Sequence, residues 1–385
     1  MGAGERDHLV DWLLVNGGPV VRYRTACEIC QDLPRIEQKR MERDLLALPL
    51  VEQWLGRLEL GNLAGSLDHL DASMVARLGA LVHGSKPTAL ENVLGRLNEF
   101  GLRAGTPEVD QRMRPLMRIF YWREDWQADA QYQTAWESLM KSIFAWGLLR
   151  AGYHTDTAMK DYLCGLVDIV HKIARDQVFD IYACGDELKG LPSAWAGKPV
   201  IKQEVIAHYH LPLIHDLYVL ASLPGWMVDD AIARKIDDIV RYVLDPRFQA
   251  LHPGFGYAWI RERRTCYHWG WSPHMSGFAG CDWQPESDAG LLVQQLELMA
   301  HFRAACESRW FQAGLRHLEW HRSEQGTYIF PGHFLRDLPA GYYVNGAYLG
   351  LGENRRLRRG LEIESTFRMA RIRATAGDCF NRILL

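Results

Sequence analysis

The sequence predicts an all-α fold built of helical hairpins, and three observations carry that expectation. Apolar residues recur at helical spacing through most of the 385 residues. Strand alternation is confined to short patches at 326–330 and 342–344, which read as loop ribbons. The recurring unit is helix, turn, helix and then a longer loop rich in glycine and aromatic residues. Six such units would take about 64 residues each, more than a usual solenoid repeat. Set in a ring, the hairpins would bury their apolar faces together and leave a central funnel; an open array is the rival arrangement. No linker of disordered composition divides the chain, so 1–385 is read as one domain.

Each element has its own signal. Residues 5–15 place Leu9, Trp12 and Leu13 on one side of a helix that Asn16-Gly17-Gly18 ends. Pro19, with its φ preset, suits the first turn of a helix running on from Val20 to residue 32. A helical stretch over 35–60 carries Met41, Leu45, Leu48, Leu55 and Leu58 and is interrupted at Pro49. After a loop come 74–83 and 88–100, the second marked by Leu90, Val93, Leu94 and Leu97. Helices follow over 108–122, 132–151, 157–174, 202–222 and 231–244, while 184–199 has turn chemistry and no period. Helices over 290–305, 310–322 and 361–373 complete the chain.

Composition excludes several classes. The net charge is −3, and no basic stripe suits nucleic acid. The local cluster Arg355, Arg356, Arg358 and Arg359 is flanked by glutamates and reads as a solvated helix face. Eight cysteines at irregular spacing are no disulfide framework, and Cys27-x-x-Cys30 lies on a helix with no second pair. No apolar run approaches the ~20 residues that span a bilayer, and the opening MGAGERDHLVDWLL lacks the pattern of a secretory signal. A cytoplasmic location is expected. The oligomeric state is left open.

The chemistry is expected around Leu251–Asp288, which packs Trp259, Trp269, Trp271 and Trp283 among glycines. Rigid rings on such a loop suit a binding wall, so these tryptophans, with Tyr267 and His274, are taken as substrate-binding residues. The alternative is that Trp269 and Trp271 plug the end of the helix assembly. His268 and Asp282 are acid–base candidates on the same loop. The stretch KQEVIAHYHLPLIHDLY adds Glu204, His210, His215 and Asp216 as catalytic candidates, with His208 and Tyr209 beside them as binding residues. Glu204 and His208, one helical turn apart, face one way. Structural hydrogen bonding is the competing role for the whole group. Tyr342, Tyr343, Asn345 and Tyr348 offer hydroxyl and amide donors on a glycine-bounded segment. Cys266, His268, His274 and Cys281 fit no common zinc spacing, so no metal is expected. Without a Gly-x-Ser-x-Gly elbow or a dinucleotide fingerprint, neither a serine hydrolase nor a nucleotide cofactor is expected.

Four segments carry a family resemblance: VDWLLVNGGPVVRYRTACEI (10–29), NEFGLRAGTPEVD (98–110), HLPLIHDLYVLASLP (210–224) and 326–372. Together they resemble bacterial prenyltransferase-like and squalene-cyclase-like proteins. The resemblance implies an (α/α)6-type toroid of the terpenoid-cyclase superfamily. It does not bring the family's chemistry, because the chain has no Asp-x-Asp-Asp acid; Asp68-His69-Leu70-Asp71, Asp229-Asp230 and Asp237-Asp238 are the nearest approaches. The function expected is a small-molecule enzyme with an aromatic funnel, acting by acid–base chemistry on a cyclic or isoprenoid-like substrate. A saccharide-active glycosidase or lyase, with two opposed carboxylates, is one alternative. A non-catalytic ligand-binding or scaffold protein is the other.

Overall fold

The structure is a computed structural model and describes residues 3–30, 33–58, 82–121, 131–154, 157–278, 283 and 290–381. It is mostly helical. Helix α1 (Ala3–Asn16) leads to α2 (Pro19–Arg24), which opens on Pro19 and continues into a single π-helical turn, Thr25–Ile29. α3 (Arg35–Leu46) and α4 (Pro49–Gly56) are separate helices, because Pro49 starts the second instead of kinking one long helix. α5 (Leu90–Glu99), α6 (Pro107–Tyr121), α7 (Gln131–Arg150) and α8 (Thr157–Asp176) lie close to their predicted spans. The helix expected at 74–83 falls outside the described residues apart from its last two positions.

The stretch predicted as one helix over 202–222 is two. α9 (Gln203–His208) and α10 (Ile214–Ala221) are separated by an extended turn at Pro212. Proline donates no hydrogen bond and keeps Leu211 out of the helical region, and the Asp216 carboxylate takes the freed Leu213 N–H at 2.9 Å. α11 (Asp230–Val243) starts on Asp229, whose side chain accepts from Ala231 N and Ile232 N. A short α12 (Pro246–Gln249) precedes the aromatic loop. α13 (Leu292–Met299), α14 (Arg303–Cys306), α15 (Arg309–Glu319) and α16 (Arg358–Asn381) complete the helical part.

The aromatic loop contains regular structure that the sequence reading left out. β2 (Tyr257–Ile260) and β3 (Thr265–His268) form an antiparallel hairpin, and β1 (Val200–Ile201) pairs with β2 in parallel. Runs of four residues are too short to declare a period, and Arg264, in the left-handed region at φ 48°, turns the chain between them.

Helix α5 packs on α4 and α7; α7 packs on α6 and α10; α10 packs on α13; and α13 packs on α15 and α16. α16 in turn meets α1, α2 and the π turn, while α8 and α11 pair with each other. Three helices are enclosed on all sides: every residue of α5 and α13, and Ile214–Leu220 of α10, is buried. No helix among the described residues is long and apolar enough to cross a membrane.

Candidate functional site

Helices enclosed on every side are usually apolar all round. Here they are not. α5 carries Glu91, Asn92, Arg96, Asn98 and Glu99; α10 carries His215 and Asp216; α13 carries Gln294, Gln295 and Glu297. Burying such groups is unfavourable unless each finds partners, so their partners define the functional geometry.

One set gathers at the C-terminal ends of α5, α7 and α10. Arg24 grips Glu28 with two nitrogens, at 2.8 and 2.9 Å, and donates to the Glu99 backbone carbonyl at 2.9 Å. Glu99 also faces Arg368 at 2.7 Å and Arg150 at 3.3 Å, and accepts from the Tyr343 hydroxyl at 2.5 Å. Arg150 donates to that same hydroxyl at 2.8 Å. Arg371 bridges Glu28 at 2.9 Å and Glu297 at 3.1 Å. Burial by itself would raise the Glu28 and Glu99 carboxyls. Arg24 and Arg371 reverse that for Glu28, and Arg368, Arg150 and Arg24 for Glu99, holding both below the usual carboxylate range. Burial raises the Tyr343 phenol, outweighing Arg150, so it stays a proton donor to Glu99.

Beside this network lies a cavity of about 390 Å³. Arg103, Arg150 and Arg371 line it together with the carboxylates Glu28, Glu297 and Asp378, so its charged walls balance, and Tyr218 and Asn98 add neutral polar groups. The Asn98 amide nitrogen is buried and has no hydrogen-bond partner. The Tyr218 hydroxyl also has none among the described residues. Among the described residues predicted to bind substrate, Tyr343 lines this cavity, and Trp259, Trp269, Trp271 and Trp283 do not.

A second set lies at the opposite, N-terminal ends of α5 and α10. His83 Nδ1 is 2.5 Å from one oxygen of Glu91, and His215 Nε2 is 3.3 Å from the other. Burial raises the Glu91 carboxyl, but the charge and hydrogen bonds of His215 and His83 outweigh it and bring it down to about 2. Trp271 and Tyr342 wall the group, with Trp271 4.7 Å from His83 and 5.7 Å from His215, and Tyr342 stacked on His83 at 5.0 Å. The Trp271 carbonyl accepts from Ile214 N, which ties the aromatic loop to the start of α10. One residue on, Asp216 accepts from His210 Nε2 at 2.6 Å, from Ser142 Oγ at 2.8 Å and from Leu213 N. Burial raises this carboxyl; His210 and the other donors more than offset it and keep it below its ordinary value.

The sequence-predicted residues therefore separate. His210 with Asp216, and His215 with Trp271 and Tyr342, come together. Glu204 and His208 are exposed on α9 and join neither set, because the break at Pro212 turns α9 away. Tyr209 reaches Asp176 at 3.3 Å on the surface. Trp259 lies in a small separate cluster with Val200 and Cys266 behind the hairpin, and Tyr267 and His268 point outward from it. Trp269 is half-buried against the main core, and Trp283 is buried in it, stacked on His317. His274 is a structural link: the Leu251 carbonyl requires Nε2 to donate, so Nδ1 accepts from the Ser272 hydroxyl at 2.6 Å. Tyr348 is buried with its hydroxyl on the Ser85 carbonyl, and Asn345 is exposed. Asp282, Cys281, Asp288, Asp68 and Asp71 lie outside the described residues.

Sequence reasoning missed His83, Glu91, Asn98, Glu99 and the buried arginines. They belong to no catalytic motif. One signal does mark most of the cavity: Glu28, Asn98, Arg103, Tyr218, Ser222, Tyr343 and Arg371 all fall in the four segments that carry the family resemblance. No protein-family model matches the chain, and neither does any curated protein or solved structure.

Proposed function

We propose that the chain binds a small polar molecule in the 390 Å³ cavity, on an α/α-toroid scaffold of the terpenoid-cyclase type. One observation carries the reading. On the cavity wall the Asn98 amide nitrogen is buried with no hydrogen-bond partner among the described residues, close to the Tyr218 hydroxyl that lines the same cavity. A ligand's polar atoms would complete the amide, and walls that carry both guanidinium and carboxylate groups suit a polar ligand over an apolar one. An isoprenoid would strip water from these groups and replace none of its hydrogen bonds, so the ligand expected from the sequence is revised. The toroid is supported by the neighbour series α5, α7, α10, α13, α16, which returns to α2 and from there to α5 through Arg24 and Glu99.

The test is thermal denaturation with a panel of dicarboxylates, sugar phosphates and amino acids. A true ligand should add about 2.7 kcal/mol at a hundredfold excess over its Kd. Tyr218→Phe and Asn98→Leu should remove that gain while the protein stays folded. A panel with no effect, or a gain untouched by both substitutions, defeats the reading.

Acid–base catalysis is a second reading, favoured by the His210–Asp216 dyad, in which a buried carboxylate orients a partly exposed imidazole. The dyad does not line the 390 Å³ cavity, so this reading needs a substrate bound at His210 itself; His210→Gln should then abolish its turnover, and unchanged turnover removes the idea. The glycosidase reading fares worse: Glu28 and Glu297 both line the cavity, but each sits against guanidinium groups, the reverse of the setting a general acid needs.

A further inference from the structure

Most buried carboxylates among the described residues face a guanidinium, and two, Asp216 and Glu91, face imidazoles instead. Glu28, Glu99, Glu297 and Glu364 each face at least one guanidinium. Glu91 is buried just as deeply and faces two imidazoles, with no arginine or lysine on it among the described residues. A buried carboxylate without a firm cation is unfavourable by several kcal/mol, on the order of what desolvating one ion takes. Asp216 has a hydroxyl and a backbone amide beside its one imidazole, whereas Glu91 has only the two imidazoles among the described residues.

The surroundings say what could supply a firmer cation. One ring nitrogen of His83, one of His215 and one Glu91 carboxylate oxygen all lie within 4.8 Å of one another. Small side-chain rotations would bring the three to the roughly 2.0–2.2 Å at which imidazole and carboxylate ligate zinc. The three groups come from separate places: His83 just before α5, Glu91 in its first turn, and His215 in the first turn of α10. Two of them therefore sit on enclosed helices that cannot move far. Trp271 and Tyr342 close the sides with aromatic rings. Trp271 does so from the left-handed region, at φ 62°, a backbone conformation that is unfavourable for a bulky residue. Such strain persists where the surroundings demand it, and here it brings the indole against both histidines.

We propose that His83, Glu91 and His215 bind a divalent first-row transition-metal ion of the zinc type, with at least one coordination position left for water or a ligand. This set differs from the cysteine-and-histidine group that the sequence brought forward. It is independent of the cavity proposed for ligand binding, since its residues do not line that cavity.

Chelator-treated protein titrated with zinc should take up one ion per chain. Glu91→Gln and His83→Ala should each weaken uptake by at least about tenfold, the size of effect that losing even an outer-shell partner has. His333→Ala, which removes an exposed histidine, should leave it unchanged. Far-UV circular dichroism of each variant keeps loss of binding distinct from loss of fold. Cobalt in place of zinc gives a readout on the unaltered chain, a visible ligand-field spectrum that Glu91→Gln removes. Uptake unaffected by both ligand substitutions, or no zinc uptake and no cobalt bands in the unaltered protein, overturns the proposal and leaves an imidazolium as the counter-charge.

Discussion

Arg368 and Glu99 are 269 positions apart in the chain, yet the arginine Nη1 lies 2.7 Å from a Glu99 carboxylate oxygen, with both side chains buried. The same nitrogen stands 2.7 Å from Glu297, so one guanidinium from α16 holds carboxylates from α5 and α13. Arg368→Met should therefore leave two buried carboxylates short of a cation and destabilise the fold by about 3–5 kcal/mol. Urea denaturation measures this. A loss comparable to that from Arg175→Ala, which removes an exposed ion pair with Asp176, would show that the buried centre holds nothing together.

His317 makes stability depend on acid. Burial, with some help from His321, lowers its imidazole to about 4, and neither ring nitrogen has a hydrogen-bond partner among the described residues. Its folded pKa lies below the unfolded value of about 6.5, so between those two pH values the unfolded chain holds the extra proton. Stability is then complete above about pH 6.5 and falls as pH drops toward 4, by about 3 kcal/mol in all. His317→Leu should flatten that slope and cost little at neutral pH, since no hydrogen bond is lost. Thermal midpoints recorded from pH 7.5 to 4.5 check it; an unchanged slope refutes the assignment.

Asp216 is the common acceptor for His210, Ser142 and the Leu213 amide. Asp216→Ala orphans all three donors and should destabilise by at least about 1–3 kcal/mol. Hydrogen exchange locates the effect, because the Leu213 amide should lose protection first. Exchange at Leu213 that stays as slow as in the unaltered protein would show that the carboxylate does not hold the turn between α9 and α10.

Gly277 has φ 66° and lies against the Trp283 indole, where a Cβ would overlap the ring. Gly277→Ala incurs the left-handed penalty of about 1–2 kcal/mol together with about 1–3 kcal/mol of overpacking. The Trp283 fluorescence maximum should shift to the red as the ring is displaced. A variant with unchanged midpoint and emission contradicts this packing.

Much of the helical framework was legible in local pattern. Leu90, Val93, Leu94 and Leu97 announce α5 at helical spacing, Pro19 and Pro49 open α2 and α4, and Asp229 caps α11. The hairpin at Tyr257–His268 was not legible, because two four-residue runs show no period. The site was harder still. Glu91, Asn98 and Glu99 make the polar side of α5 look like an ordinary solvated face, and a periodic pattern does not state what the polar side meets. The tryptophans of the loop drew attention as cavity lining, yet only Trp271 meets the catalytic candidates; Trp259 and Trp283 fill apolar clusters, as large rings more often do.

By itself the sequence determined the helical class, most helix ends and the absence of catalytic motifs, since propensity, caps and prolines act within a turn or two of chain. Tertiary structure alone decided that Arg24, Glu99, Arg150 and Arg368 form one ionic centre and that His83, Glu91 and His215 meet. Those are encounters between side chains up to 269 positions apart in sequence. Whether a polar helix face is wet or buried depends on which helices pack over it, and that is a property of the assembled core.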